Sequence, residues 1–128
     1  MIVADASAIV EVLLNAPAAR EVSRHLFAEG ETLHAPHLVD VEVLQALRRH
    51  TRTNEIGGMR ATQALQDYND IPLRRYPHKF LLPRIWELRH NFTAYDAAYI
   101  ALAEVLEAPL VTCDRAMGSG HRATVLVL

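Results

Sequence analysis

Cysteine and lysine each occur once in this 128-residue chain, as Cys113 and Lys79. One thiol excludes an intrachain disulfide and any Cys-based zinc site. Long apolar runs are missing too, and none reaches the ~18 residues that a membrane span needs. The start, Met1-Ile2-Val3-Ala4-Asp5, has no basic region and carries an early acid, so it does not read as a signal peptide. There is no repeat, linker or low-complexity segment. These absences lead to the expectation of a soluble, cytoplasmic protein with a single domain over residues 1–128. The formal net charge of −2 excludes a strong overall field that would draw in nucleic acid. Twelve of the 13 basic residues are arginine. Arginine favours bidentate contacts to phosphate and carboxylate, but a genome with Arg-biased codon usage is the simpler cause of the bias.

What is present is an ordinary globular balance, 51% hydrophobic against 22% charged. At this length roughly two thirds of the surface is buried on folding. Short β-type runs alternate with helical ones. Ile2-Val3-Ala4 reads as a strand ending at Asp5, and residues 6–14 as a helix. Pro17 opens a second helix to about residue 28, with Val22, Leu26 and Phe27 on its inner face, and Gly30 stops it. Residues 32–35 are a second strand, closed by Pro36. A long helix covers 37–52, with Leu38, Val41, Val43, Leu44 and Leu47 as its apolar stripe. Arg48, Arg49, His50 and Arg52 load its last turn; cations there suit the helix dipole, and phosphate binding is the sharper alternative. Asn54 starts a further helix, weak at Gly57-Gly58, to about residue 68. Residues 71–76 form a third strand, short because Pro72 cannot donate to a ladder. Pro77 opens a helix to about residue 90, with Phe80, Leu81, Ile85, Trp86 and Leu88 available for burial. Pro83 predicts a break within it. Residues 110–113 and 124–128 complete the strands, with a loop or single helical turn at 115–120. The alternation predicts an α/β fold: a three-layer α/β/α domain around a mostly parallel sheet of about five strands. Crossovers in it should be right-handed.

The most informative stretch is Thr93-Ala94-Tyr95-Asp96-Ala97-Ala98-Tyr99-Ile100-Ala101-Leu102-Ala103. A helix that is apolar all round is buried. Alanines at 94, 97, 98 and 101 keep one face small. Asp96 is the lone charge of the first turn. Thr93-x-x-Asp96 fits a capping box, so Asp96 either caps the helix or faces a site.

Its company favours a site. Asp5 ends the first strand, Glu42 follows the second, Asp96 begins the buried helix, and Asp114 ends the fourth strand. In a parallel α/β sheet all four fall at the carboxyl edge, where ligands collect. Asp40 lies two residues from Glu42, so the two point to different faces and at most one of them can share a site with Asp5. Clustered carboxylates repel and raise one another's pKa, and no lysine is near in sequence. A hard divalent cation, Mg²⁺ or Mn²⁺, would balance them. Such an ion activates water and offsets phosphate charge. Ser7 and Thr112, each two residues from an Asp, are candidates to hydrogen-bond those carboxylates. The seven histidines are scattered and form no ligand or acid–base spacing. Cys113 reads as a small strand residue.

These motifs, Met1-Ile2-Val3-Ala4-Asp5-Ala6-Ser7, Ala35-Pro36-His37-Leu38-Val39-Asp40-Val41-Glu42-Val43, Thr93 to Glu104 and Leu110-Val111-Thr112-Cys113-Asp114, resemble the successive motifs of PIN-domain proteins. The short length and the Tyr95-Asp96-Ala97-Ala98-Tyr99 wording resemble the VapC toxin branch of type II toxin–antitoxin systems. The resemblance covers essentially the whole chain. It implies a Mg²⁺- or Mn²⁺-dependent endoribonuclease with Asp5, Glu42, Asp96 and Asp114 as catalytic and metal-holding residues. It also implies an RNA substrate, a homodimer and a VapB-type antitoxin. Some relatives carry a further acid two residues after the last Asp; here that position is Ala116, which removes a ligand from a second metal site. Two rival readings are a PIN-like domain that binds RNA or a partner without cutting, and a receiver-type phospho-accepting domain. The latter needs a lysine after a late strand, and Lys79 is in the wrong segment.

Overall fold

The computed structural model describes residues 1–128. Its strands are β1 (Ile2–Ala4), β2 (Leu33–Pro36), β3 (Leu73–Tyr76), β4 (Leu110–Thr112) and β5 (Val125–Val127). They form one sheet in the order β3-β2-β1-β4-β5. Every neighbouring pair is parallel, more uniformly than the sequence suggested. Ile2 stands opposite Leu33 and Val3 opposite Leu110, which makes β1 the central strand. All of its residues are buried, as a parallel strand covered on both faces requires.

The connections are α1 (Ala6–Leu13), α2 (Ala19–Leu26), α3 (Val39–Arg52), α4 (Gly58–Asn69), α5 (Leu82–Glu87) and α6 (Ala94–Leu106). Helices α1 to α4 pack on one another, whereas α5 packs on α6 and α6 lies against β1, β2 and β4. Right-handed crossovers account for this division. The chain steps outward from β1 to β2 to β3 with one set of helices. It then returns across the sheet to β4 with the other set, on the opposite face. Its direction therefore reverses between β1 and β4, and a crevice at the carboxyl edge follows from that reversal.

Helix α6 shows how the core is filled. Residues 97 to 103 are all buried. The alanines let the helix approach the sheet closely, and Tyr99, Ile100 and Leu102 fill the space between them. Thr93 caps the helix: its Oγ1 accepts the Asp96 N–H at 3.2 Å. Tyr95 is exposed, because the first turn stands at the carboxyl edge beside the crevice rather than over the sheet.

Other departures have similar local causes. Pro17 lies in the turn before α2, whose N-cap is Ala18. Phe27 follows that helix and is exposed, not inward. In α3 the buried positions are Val39, Val43, Ala46 and Leu47. This i, i+4, i+7, i+8 face leaves Val41 and Leu44 in solvent. Asn54 adopts a left-handed φ of 59° and turns the chain, so α4 begins only at Gly58. The helix expected over 77–90 is a 3₁₀ turn (Lys79–Leu81) followed by α5. Pro83 sits in the first turn of α5, where its missing N–H costs nothing. No residue of so short a helix is fully buried; Leu81 and Leu88, which flank it, are buried while Phe80 and Trp86 are exposed. No helix is long and apolar enough to cross a membrane.

Candidate active site

Asp5 follows β1 and occupies the N-cap position of α1, yet its side chain caps nothing. It is 4% exposed. Two hydroxyls donate to its Oδ2, Ser7 Oγ at 2.6 Å and Thr112 Oγ1 at 2.7 Å. Each hydroxyl also accepts a backbone N–H from the chain leaving β4. Cys113 donates to Ser7 at 3.1 Å and Asp114 to Thr112 at 3.0 Å. Both hydroxyl protons are thus committed to Asp5, and the exits of β1 and β4 are clipped together. Ser7 and Thr112 were expected near an aspartate from their spacing; the structure gives both of them the same one.

Glu42 reaches the same place from the first turn of α3. Asp40, two positions away, points elsewhere, as its spacing requires. Arg75 holds it through Nε at 2.9 Å and Nη2 at 2.8 Å, and the Tyr68 hydroxyl donates to it as well. These contacts keep the Asp40 carboxyl below the usual range, with the Arg75 hydrogen bond the main cause. Asp96 arrives from the first turn of α6. Thr93 Oγ1 accepts its backbone N–H at 3.2 Å, and the same side chain lies close enough to the Asp96 carboxyl to oppose the rise in its pKa. Asp114 follows β4, and its Oδ1 accepts the Ala116 N–H at 2.9 Å, capping the 3₁₀ turn Arg115–Met117.

Asp5, Glu42, Asp96 and Asp114 line one cleft of about 360 Å³. Ser7 and Cys113 share the lining, and Thr112 lies fully buried behind it. Glu11 lines it too, but its Oε1 accepts the Ala18 N–H at 2.7 Å and serves the entry to α2. A larger cavity of about 850 Å³ opens beside α5 and the end of α6. Its buried acid, Glu104, is already paired with Arg84 at 2.8 Å, so it offers no free chemistry.

The acids in the smaller cleft work against one another. Burial pushes Glu42 up to about 7; Asp5 and Asp96 add to the rise, and the nearby Tyr99 hydroxyl opposes it. Burial raises Asp5, against the two hydroxyl bonds, with Asp114 adding a smaller push. Asp96 is raised by burial first, then by Asp5 and Asp114. Oε1 of Glu42 and the Tyr99 hydroxyl are buried without a hydrogen-bond partner. Tyr99 was read as core and missed as a site residue. It lies three residues after Asp96, on the same helical face, but in so apolar a helix that spacing is drowned out.

No three His, Cys, Asp or Glu side chains are close enough, as placed, to enclose an ion. The donor chemistry nevertheless fits a small hard cation. All four acids offer carboxylate oxygens, burial and then mutual repulsion raise the pKa values of Asp5, Glu42 and Asp96, and one buried oxygen has nothing bonded to it. A six-coordinate ion that keeps several waters does not need four carboxylates in contact with one another.

A parallel sheet whose switch point gathers carboxylates defines a PIN-type domain. Residues 2–119 match the family model described as PIN domain. The chain is 46% identical over 114 residues to VapC ribonuclease Mb0985 of Mycobacterium bovis, covering 89% of this chain and 86% of that relative. It is 42% identical over 127 residues to Ribonuclease VapC12 of Mycobacterium tuberculosis, covering 98% and 97%. The crystal structure of Mycobacterium tuberculosis VapC20, described as a Sarcin-Ricin loop cleaving toxin, superposes with a TM-score of 0.69. It covers 92% of this chain and 93% of that one at 17% identity, a likeness of fold. The chain belongs to the VapC ribonuclease family of PIN-domain proteins.

Proposed function

We propose that the protein is a metal-dependent endoribonuclease, the toxin of a type II toxin–antitoxin pair, acting on RNA in the cytoplasm. One observation carries the metal: four carboxylates share a cleft in which the buried Glu42 Oε1 has no partner. The chemistry that bound Mg²⁺ or Mn²⁺ supplies is ionisation of water near neutral pH and neutralisation of phosphate charge. Asp5, Glu42 and Asp96 are the residues that would hold the ion, directly or through water, and Asp114 would complete the set or favour a second ion. Ser7 and Thr112 fix Asp5 by occupying its Oδ2, which pre-orders a ligand at no cost during reaction. Water adds to phosphorus, the P–O3′ bond breaks, and the 3′ oxygen leaves with a proton. The products are 5′-phosphate and 3′-hydroxyl ends. The family membership supports a VapB-type antitoxin as inhibitor and a homodimer as the working form.

Purified protein free of antitoxin, incubated with total RNA and Mn²⁺ or Mg²⁺, is expected to give discrete fragments. EDTA or Asp96→Asn should abolish them. The Thr93 cap uses the backbone N–H, so the Asn variant keeps its fold. Fragments that persist in EDTA or in the variant would rule this reading out. RNA binding without cleavage under any divalent ion would instead favour the non-catalytic PIN-like reading.

A further inference from the structure

The acidic cleft has one basic wall, and the proposed chemistry does not use it. Arg49 lies seven residues after Glu42 on α3, two helical turns on and therefore on the same face. It is the only arginine lining the cleft. Arg24, Arg75, Arg84 and Arg122 all pair with acids. Arg49 forms neither an ion pair nor a side-chain hydrogen bond; the acid whose pKa its charge lowers is Glu55, and it stands apart from the cleft carboxylates. Next to it, His50 gives its Nδ1 to Glu55 Oε2 at 2.6 Å, which anchors the end of the helix.

We propose that Arg49 is a substrate-positioning residue that grips a phosphate flanking the scissile one. The inference rests on the nuclease reading above. A guanidinium placed over the catalytic carboxylates would collapse onto them in the absence of RNA; no such pair forms. Its backbone lies about 10 Å along the helix from that of Glu42, so it sits at the rim. The planar fork suits two oxygens of one phosphate. A cation at the rim also solves an electrostatic difficulty, because a polyanion must approach a cleft lined by acids. Arg48 supplies an internal control: it has the same charge one position round the helix, and it lines the groove between α3 and α4 instead.

The test uses the full-length protein and a fluorescent RNA oligonucleotide carrying a cleavage site mapped on total RNA. Arg49→Ala should raise KM about tenfold, as loss of one charged contact does, with kcat within about threefold. The slope of log KM against log salt should fall by about 0.7, the amount for one phosphate on a single strand. Arg49→Lys should recover part of the loss. Arg48→Ala should leave KM within about twofold, and neither variant should change the melting temperature or its response to metal. Equal effects of Arg48→Ala and Arg49→Ala, or an unmoved KM, would overturn the proposal. An unmoved KM with lost inhibition by antitoxin would assign Arg49 to the protein partner. If wild type cuts no RNA with either metal, the nuclease reading itself fails and the proposal falls with it. An active wild type with an indifferent Arg49→Ala removes only the phosphate contact.

Discussion

Replacing Glu42 by Gln should make the metal-free protein more stable while destroying its activity. Glu42 moves from 4.5 in the unfolded chain to about 7 in the fold. Its carboxylate is therefore disfavoured in the native state by about 3 kcal/mol at most. Solvent reaches part of the group, and with that screening roughly 1–2 kcal/mol should be measured. The sign follows from the raised value. The penalty is absent below pH 4.5 and fully developed above about pH 7, so wild type loses stability as pH rises through that window. Gln carries no charge and escapes the penalty. For a domain of this size the gain corresponds to roughly 4–8 °C. Thermal melts in EDTA from pH 4 to pH 8 check it, with the difference between variant and wild type as the readout. That difference cancels the titration of groups remote from the cleft and keeps the coupling of Glu42 to Asp5 and Asp96. It should open from about pH 5 and level off near pH 8. Mg²⁺ or Mn²⁺ should then raise wild type more than the variant. If Glu42→Gln melts below wild type at pH 8 in EDTA, or if the difference does not vary with pH, the electrostatic account of the cleft is wrong.

Thr112→Val removes a buried donor to Asp5 and the acceptor of the partly buried Asp114 N–H, at a side chain that is itself fully buried. It should cost about 2–3 kcal/mol in urea unfolding and lower cleavage, whereas a loss under about 0.5 kcal/mol would contradict the network. Arg84→Ala takes its closest cation from the Glu104 carboxylate, whose side chain is only 7% exposed, and leaves it the Arg122 N–H at 2.9 Å and the more distant Arg122 guanidinium; about 1–3 kcal/mol should be lost, and adding Glu104→Gln should restore part of it. Ala101→Leu forces a larger side chain between α6 and the sheet, where Ala101 is 0% exposed, and should cost about 1–3 kcal/mol in the same assay. Asp40 is held below its ordinary 3.8, so its contribution is present above that pH and fades as pH falls through the depressed value. An Asp40→Asn variant should therefore be less stable at neutral pH but lose less on acidification, and parallel acid titrations of the two proteins would refute this.

The alternation of short apolar runs with helical ones was enough to place all five strands, because a parallel sheet needs buried strands and long crossovers. The acids at 5, 42, 96 and 114 were legible for the same reason: each immediately follows a strand or opens a helix, and such positions share one edge. Helical geometry told that Asp40 and Glu42 point to different faces, and the family resemblance told which of the two joins the site. Less legible were the faces of α3 and α5. Val41, Leu44, Phe80 and Trp86 look like core residues in a one-dimensional pattern, yet they are exposed. Which stripe is buried depends on where a helix starts and how it leans on its neighbours, and neither quantity is local.

Local chemistry along the chain therefore determined the fold class, the acidic edge and the two hydroxyls near it. Spacing, capping and hydropathy act over a few residues, and these features need nothing more. Tertiary structure alone decided that Ser7 and Thr112, 105 residues apart, hold the same oxygen of Asp5. It likewise decided that Glu42 Oε1 and the Tyr99 hydroxyl are buried without partners, and that Arg49 rather than Arg48 lines the acidic cleft. Those outcomes depend on distances between segments remote in the chain. Only the closing of β1 against β4, and of α3 and α6 over their ends, sets such distances.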